Sequence, residues 1–467
     1  MARKIVFFVS LQFQLLFCSN AFSESQPIDL KTIMQRAAEQ SVSLRLSRLA
    51  TEDAELSSDL AGQNYIPLLE LDLSYRDVFA VGAGPGNGTL SFSSSVFWRT
   101  TVGSELRATL NTNHILRGQS GIPLSRLGFT ASQNLLSGAW GADNDLDVVA
   151  LDASIAKADF IVELNNALMI AARRYFSLST AKINHKIAKE SVQRAQRQFE
   201  DTAENIKRGL LAKGDIYVVE ENLVFFQQQL LAAKEEELRS TTELASYLKL
   251  DPSTTFDISS ETPLFDAPKE STLDAHPILI ARTKRIEQAE KRLRKTQINT
   301  LPSLAIVGGL GFNGTHSSFG SALGESFSFQ NPDATIGLSF STPLSYSGKS
   351  AVEERAQINL RREHELKIRD SISIEEDLFN AKESLSIRKE ILQLSTKRFK
   401  LTQLKLATEL EKFKNGVSRL PEVVRFQRDV DTADFARTRA RVAVNLIVLQ
   451  WYASLAKLHE RFDIGIK

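Results

Sequence analysis

The stretch IEEDLFNAKESLSIRKEILQLSTKRFKLTQLKLATELEKFKNG, residues 374–416, decides the fold. Leu378, Leu385, Leu392, Phe399, Leu406 and Phe413 recur every seven residues, and Ile387, Leu394 and Leu401 form a second sevenfold series two positions later. Two residues turn an α-helix by roughly 200°, so the second seam lies nearly opposite the first. A helix with one apolar stripe packs on one side; a helix with two opposed stripes needs a neighbour on each side. The same device occurs earlier. Ile155, Val162, Met169, Phe176 and Ile183 form one seam, and Leu164, Ala171 and Leu178 form the other. The chain is therefore expected to be built twice from one plan, and the plan includes a wall of long helices.

Working outward, each long helix is preceded by alternating runs. Tyr65-Ile66-Pro67 ends a helical stretch that begins near Leu30, because Pro67 cannot continue a helix. Leu69, Leu71, Leu73 and Tyr75 then alternate with Glu70, Asp72 and Ser74, the two-residue period of a strand. Similar runs occupy 90–98, 105–112 and 127–135, separated by glycine-rich turns such as Gly82–Gly88. The second half repeats the order: a helix to Asn299, a break at Pro302, strands at 304–312 and 336–344 around a Gly/Ser loop, and two helices joined at Asn415-Gly416. Residues 22–250 read as one repeat, with strands within 65–136 and a tip at 209–214. Residues 251–272 read as a linker. Residues 273–467 read as the second repeat, with strands within 303–344 and a tip at 415–420.

Composition sets the bounds. The chain has 467 residues and a formal net charge of +1, so no global charge points to nucleic acid. Arg3 and Lys4 precede an apolar run from Ile5 to Phe17, and Ser19-Asn20-Ala21 is a small-x-small site. Residues 1–21 therefore read as a secretory signal peptide, cleaved after Ala21 or Ser23. Either cleavage removes Cys18, the only cysteine; its acylation would want a small residue where Phe17 stands. No other run is long and apolar enough for a transmembrane helix. The six histidines never approach a metal-ligand spacing, the glycines at 84–88 lack a following Lys-Ser/Thr, and the Glu353-Glu354 and Glu375-Glu376 pairs point in different directions on a helix. No cofactor, metal or catalytic constellation is expected.

A helix of 65 or more residues is on the order of 100 Å long, too long for a globular core. The strands are apolar on one face and polar on the other, as in a membrane barrel, and open sheet edges are not tolerated in lipid. Too few strands exist in one chain to close a barrel with a lumen, so several copies must share one. A non-conducting surface rod is the rival reading, but it needs neither the strand pairs nor the second seam.

These features resemble TolC-type outer-membrane efflux proteins over the whole mature length. The resemblance is carried by the helix–strand–helix order given twice, the helix-to-strand prolines Pro67 and Pro302, the strings GFTASQNLLSG (128–138) and GLSFSTPLSYSG (337–348), and the tips GLLAKGDIYVVEENL (209–223) and GVSRLPEVVRFQRDV (416–430). It implies a mainly helical fold with membrane β-structure: a homotrimer sharing one β-barrel in outer-membrane lipid and one α-helical tunnel across the periplasm. It further implies a periplasmic adaptor protein and an inner-membrane transporter as partners, with export of small molecules or polypeptides as the role. The loops at Gly82–Gly88 and Gly314–Gly324 are then expected at the cell surface. By resemblance the periplasmic end is held shut by Asp215 and Arg419, with Arg441 as a further arginine on the last helix. Glu422 fills the first constricting acidic position, whereas Arg425 stands at the second, where the family carries an acid. The other reading of these charges is that they are helix caps and solvated turn residues. Gly209, Gly214 and Gly416 make the tip turns. One departure is evident: 71 residues separate Pro67 from Gly138, against 42 between Pro302 and Leu344. Either the trimer barrel has eighteen strands instead of the family's usual twelve, or the additional hairpin lies outside the membrane band.

Overall fold

The computed structural model describes residues 28–78, 87–117, 124–138, 145–258, 263–268, 273–316, 318–342 and 347–465. The signal peptide with Cys18, Ala21 and Ser23, most of the Gly82–Gly88 turn, and parts of the 251–272 linker lie outside the described residues. In chain order the elements are α1 (Leu30–Gln40), α2 (Val42–Gln63), β1 (Leu68–Val78), β2 (Asn87–Arg99), β3 (Ser104–Arg117), β4 (Leu124–Asn134), α3 (Leu146–Lys207) and α4 (Asp215–Tyr247). There follow α5 (Pro277–Asn299), β5 (Ser303–Thr315), α6 (Phe319–Phe327), β6 (Pro332–Ser341), α7 (Ser347–Lys414), α8 (Leu420–Ser454) and α9 (Leu458–Arg461).

Both prolines act as their chemistry dictates. Pro67 immediately precedes β1, and Pro302 lies between the end of α5 and β5. Strand ends shift by a few residues, β6 running from Pro332 to Ser341, and two features differ in kind from the expected ones. The first helix is broken at Ser41, whose φ/ψ of −58/131° is extended. The Gly/Ser loop of the second half contains α6: Ser318 caps it by accepting the Ser321 N–H at 3.3 Å, which starts a helix in a composition that reads as loop.

Contacts divide the chain into two units. The sheet unit comprises Ala38–Met169, Asp266–Ser386 and Ile447–Lys467. Its six strands form one antiparallel sheet in the order β1-β2-β3-β4-β5-β6, so the extra hairpin of the first half is a full member of the sheet. Its helices are held by a ladder of charges. Down α5, Arg285 pairs with Asp159 at 2.5 Å, Lys291 with Asp147 at 3.2 Å and Lys295 with Asp145 at 2.7 Å. Gln288, buried between them, donates to Val148 O at 3.0 Å and to Asp152 at 2.7 Å. Arg282 reaches α7, donating to Asp370 at 2.7 Å and Glu363 at 3.2 Å. At the C-terminus the buried Asn165 Oδ1 accepts the backbone N–H groups of Leu458 (2.8 Å) and His459 (3.3 Å), which fixes α9 against α3.

The tip unit comprises Met1–Ala37, Ile170–Phe265 and Ile387–Leu446. Ala195, Leu223 and Phe226 form its distal apolar cluster, with Val192, Phe199 and Phe225 packed against them. Nearer the linker, Asn445 holds an irregular segment by accepting the Phe265 N–H and donating to Pro263 O, both at 3.1 Å.

The two-seam helices differ in outcome. On α3 both seams are covered by the chain itself: Ile155, Met169, Phe176, Leu164, Ala171 and Leu178 are all buried. On α7 the first seam is buried at Leu385 and half-buried at Leu392, Phe399, Leu406 and Phe413, whereas Ile387, Leu394 and Leu401 remain 57%, 59% and 51% exposed.

The Arg282 contact has a pH signature. Burial alone would raise the Asp370 carboxyl, but the bonds from Arg282 and Arg369 hold it below the usual carboxylate range. A depressed acid contributes stability that is present above its unfolded value and is lost as pH falls through its folded one. Thermal melts should therefore show stability falling in the window below about pH 4. Asp370→Asn should lower the melting temperature at pH 7 and flatten that acid limb. An unchanged limb in the variant would show that the contact carries no stability.

Candidate functional site

Directly paired residues of an antiparallel sheet lie on the same face, so the register assigns every side chain. On one face Leu69 pairs with Val96 and Leu73 with Phe92. Trp98 pairs with Leu106, Leu110 with Leu127, Phe129 with Leu310, Gly308 with Ile336 and Leu304 with Phe340. On the other face Glu70 pairs with Ser95, Ser93 with Asn111, Arg126 with Asn313 and Gly309 with Thr335. The apolar face is open: Ile336 is 89% exposed, and Leu71, Leu73, Leu338 and Phe340 are likewise exposed. A contiguous apolar surface of this size marks contact with a partner or with lipid. Trp98 lies at one end of it, its indole N–H donating to Tyr65 O at 2.9 Å while the ring stays on the apolar face.

The polar face is knit by its own side chains. Ser93 donates to Asn111 at 2.7 Å, Ser95 to Glu70 at 3.2 Å, and Arg126 pairs with Asp333 at 2.9 Å. Much of the rest of this face is small, with Ser74, Ser91, Gly128, Gly309, Gly311 and Gly337, and the side chains of Thr109, Thr335 and Asp333 lie over Gly128, Gly309 and Gly311. Among the described residues the strands β1 and β6 each have one neighbour only, so the backbone groups on both sheet edges lack sheet partners there.

The two helix tips are made alike. Gly209 and Gly416 have φ of +78° and +75°, the left-handed conformation that favours glycine. In the first tip the Leu210 N–H reaches Asn205 O at 2.9 Å; in the second the Val417 N–H reaches Lys412 O at 2.9 Å. These are the terminating bonds of the same C-cap motif. Asp215 begins α4, and its carboxylate accepts the Ala212 N–H at 3.1 Å, bracing the turn that contains Gly214. Arg419 precedes α8 and accepts the Glu422 N–H at 3.1 Å through its carbonyl. Within this chain the structure does not bring Asp215 and Arg419 together, and among the described residues the Arg419 guanidinium has no carboxylate within ion-pair reach. Glu422 and Arg425 pair with each other at 2.7 Å along α8, and Arg425 also lies 5.0 Å over the Phe426 ring. Arg441 lines a small cavity with Leu392, Thr396 and Asn445, well up the helix from the tip.

Two further polar groups tie α8 to the first half of the chain, and sequence reasoning missed both. Arg428 donates to Asn222 at 3.0 Å and to Glu221 at 2.5 Å, with its guanidinium 4.3 Å over the Phe225 ring. The buried Asp431 accepts from Ser191 at 2.7 Å and from Arg194 at 2.5 Å; burial pushes its carboxyl up despite Arg194. A signal for Asp431 exists in the sequence. Val424, Asp431, Thr438 and Asn445 recur every seven residues, so polar groups stand where a seam would be apolar.

Solved proteins of similar architecture include outer-membrane channels. The chain is similar to the MtrE channel of Neisseria gonorrhoeae, solved in its open state (16% identity, TM-score 0.68, 92% of this chain and 89% of that one). It is similar to the outer membrane protein VceC of Vibrio cholerae (13%, 0.69, 91% and 96%). It is similar also to the CmeC channel of Campylobacter jejuni (15%, 0.68, 92% and 86%). The chain has the outer-membrane channel fold. That is the fold which the resemblance to TolC-type proteins implied. No protein-family model and no curated protein matches the sequence. At these identities the likeness is one of fold, so the channel fold is carried here by periodicity and register and by little shared sequence.

The Asp431 cluster yields a ranking. Arg194→Met leaves a buried carboxylate without its cation, a loss of roughly 2 kcal/mol given that Arg194 is partly exposed. Asp431→Asn removes the charge yet keeps an oxygen for Ser191. Arg194→Met should therefore lower the melting temperature more than Asp431→Asn, and the reverse order would show that the pair does not hold the tip.

Proposed function

We propose that this protein is an outer-membrane conduit, a passive channel through which small molecules or polypeptides leave a Gram-negative-type cell. It would work as the outer-membrane component of a tripartite efflux or type I secretion assembly. The observation that carries this reading is the six-stranded sheet, whose apolar face suits hydrocarbon and whose polar face suits water. Each face would be out of place in a solid rod or an enzyme core. The outer-membrane channels that share the fold support it.

Lipid demands a closed sheet, because unpaired backbone groups cost several kcal/mol each in hydrocarbon. In a ring of copies, β6 of one copy would pair with β1 of the next. Three copies of a six-stranded sheet make an eighteen-stranded barrel (3 × 6), wide enough for an aqueous lumen. The helices support the same ring. Ile387, Leu394 and Leu401 on α7 form one exposed apolar stripe, and Tyr217, Val224, Leu231 and Leu238, again seven apart, form another on α4. Each stripe would be covered by a neighbouring copy. The tips carry the exposed Leu210 and Val417, a surface for the periplasmic adaptor that links the channel to an inner-membrane transporter.

The resting conduit would be narrowed at the tips by Asp215 and Arg419 acting between tips, with Arg428 and Asp431 holding α8 in place and Arg441 farther up. An exposed pair contributes only about 0–1 kcal/mol, which suits a gate that must open on docking. The Glu422–Arg425 pair would cancel charge at the constriction and weaken any preference for cations.

Leu394→Asp should abolish assembly, because it places an unpaired carboxylate in a covered stripe while leaving the half-buried seam of the protomer intact. Native-gel migration and light scattering read this directly, and a fully assembled variant would remove the role of the second seam. In planar bilayers the purified assembly should conduct. Arg419→Ser and Asp215→Ala should each raise basal conductance, with little further gain in the double variant. An assembly that never conducts would overturn the conduit; conductance unaltered by both single changes would overturn the gate alone.

A further inference from the structure

The apolar face of the sheet is interrupted at its far end from Pro67 and Pro302. There Thr112 pairs with Ser125, and Ser125 with Gly314, where the alternation calls for apolar side chains. These positions are not left open: Thr112 is 1% exposed and Ser125 is 3% exposed. Helix α6 packs over β4 and β5 at this end and covers Ser125. The buried Ser326 hydroxyl bonds that of Ser125 at 3.0 Å, and the Glu325 carboxylate accepts the Thr315 N–H at 2.9 Å. The fit is close. A Cβ on Gly314 would stand 1.9 Å from Ala322 O, so only glycine lets the helix lie on the strand.

What α6 turns outward is aromatic. Phe319 and Phe327 at its two ends are 40% and 49% exposed, and Phe329 just beyond is 55% exposed. The Phe319 ring is anchored edge-on to His114 at 5.8 Å, and Phe329 edge-on to Phe312 at 4.7 Å. Phe329 has φ of +60°, a conformation that costs an ordinary residue on the order of 1 kcal/mol or more. A strained backbone that presents an exposed phenyl ring is hard to explain in water. The other end of the same face carries Trp98, paired with Leu106. From Leu106 to His114 along β3 is eight residues, about 27 Å of strand, or roughly 20 Å once tilted, close to the apolar band of a membrane barrel with aromatic girdles at both rims.

We propose that α6 is a membrane-interface anchor that supplies the second aromatic girdle of the barrel. Its occupant is a lipid leaflet: Phe319, Phe327 and Phe329 lie at the boundary between acyl chains and headgroups, while the Ser326 and Glu325 side of the helix seals the polar patch of the sheet. This rests on the reading of the apolar sheet face as lipid-facing. It goes beyond that reading, because a Gly/Ser-rich connection at a barrel rim would otherwise be a solvated surface loop.

The test uses full-length protein with Cys18→Ser, reconstituted in phosphatidylethanolamine–phosphatidylglycerol vesicles. Single cysteines are introduced by Phe327→Cys, Phe319→Cys, Ile336→Cys and Lys213→Cys and spin-labelled. Collision rates with oxygen, which concentrates in lipid, and with a water-soluble nickel chelate are then compared. The Ile336 label reports the sheet face and the Lys213 label reports water. An oxygen-to-nickel ratio at Phe327 and Phe319 several-fold above that at Lys213, and below that at Ile336, is the expected result. Ratios at both phenylalanine sites equal to Lys213, with Ile336 still oxygen-favoured, would overturn the anchor and leave the membrane barrel standing. An Ile336 label as nickel-accessible as Lys213 would overturn the barrel reading and the anchor with it.

Discussion

Hydrogen bonding of the backbone is the constraint on which this architecture depends. A strand beside hydrocarbon has no water to satisfy its N–H and C=O groups, so each must find another strand. Inside the chain this is met ten or more residues at a time by the five ladders from β1 to β6. It fails at the two outer edges. In the proposed conduit the chain would be a segment of a wall, and its exposed leucines and isoleucines make the matching statement with side chains. The proposed ring of copies would answer that unmet requirement.

The helical part answers a different problem. Long helices packed side by side slide and rotate easily if their seams are uniformly apolar, because many registers bury the same area. Polar residues placed in the seams remove that freedom. Asp431 against Ser191 and Arg194, Asn165 against the start of α9, and Gln288 between Val148 and Asp152 are each satisfied in one register only. Any shift leaves a buried polar group unpaired, at a cost of about 1–3 kcal/mol. Such contacts add little net stability and much specificity.

Much of this architecture is legible in the sequence. Alternation marked β1 to β4 within a few residues of their ends, Pro67 and Pro302 marked the changes from helix to strand, and the sevenfold series marked α3 and α7. Those signals are periodic, and burial on one face enforces them. What was not legible lacked a period. α6 is written mostly in Phe, Gly and Ser and is stabilised by its fit to Gly314, a contact between residues that no local pattern links. The extra hairpin was visible as strands, but its place within the sheet depends on pairing between chain segments far apart. Arg428 was missed because its partners, Glu221 and Asn222, lie on another helix. The contact of Asp215 with Arg419 is implied by the resemblance alone, and likeness of fold fixes position along a tip without fixing which charge a guanidinium will meet.

The hairpin of β2 and β3 turns back on itself through Thr100–Ser104, closed by the Thr100 N–H to Ser104 O bond of 2.8 Å and by Gly103 in the left-handed region. It enters and leaves the sheet on the same side, between two strands that would themselves be antiparallel if it were absent. An antiparallel wall can gain or lose such a unit without reversing the direction of anything that follows. In the proposed ring, bore would therefore be a heritable quantity that changes in whole hairpins: one local duplication or deletion, repeated in every copy, would alter the circumference at each subunit at once. The number of helices need not change with it, so in the proposed conduit the widths of barrel and tunnel would be free to evolve on separate schedules.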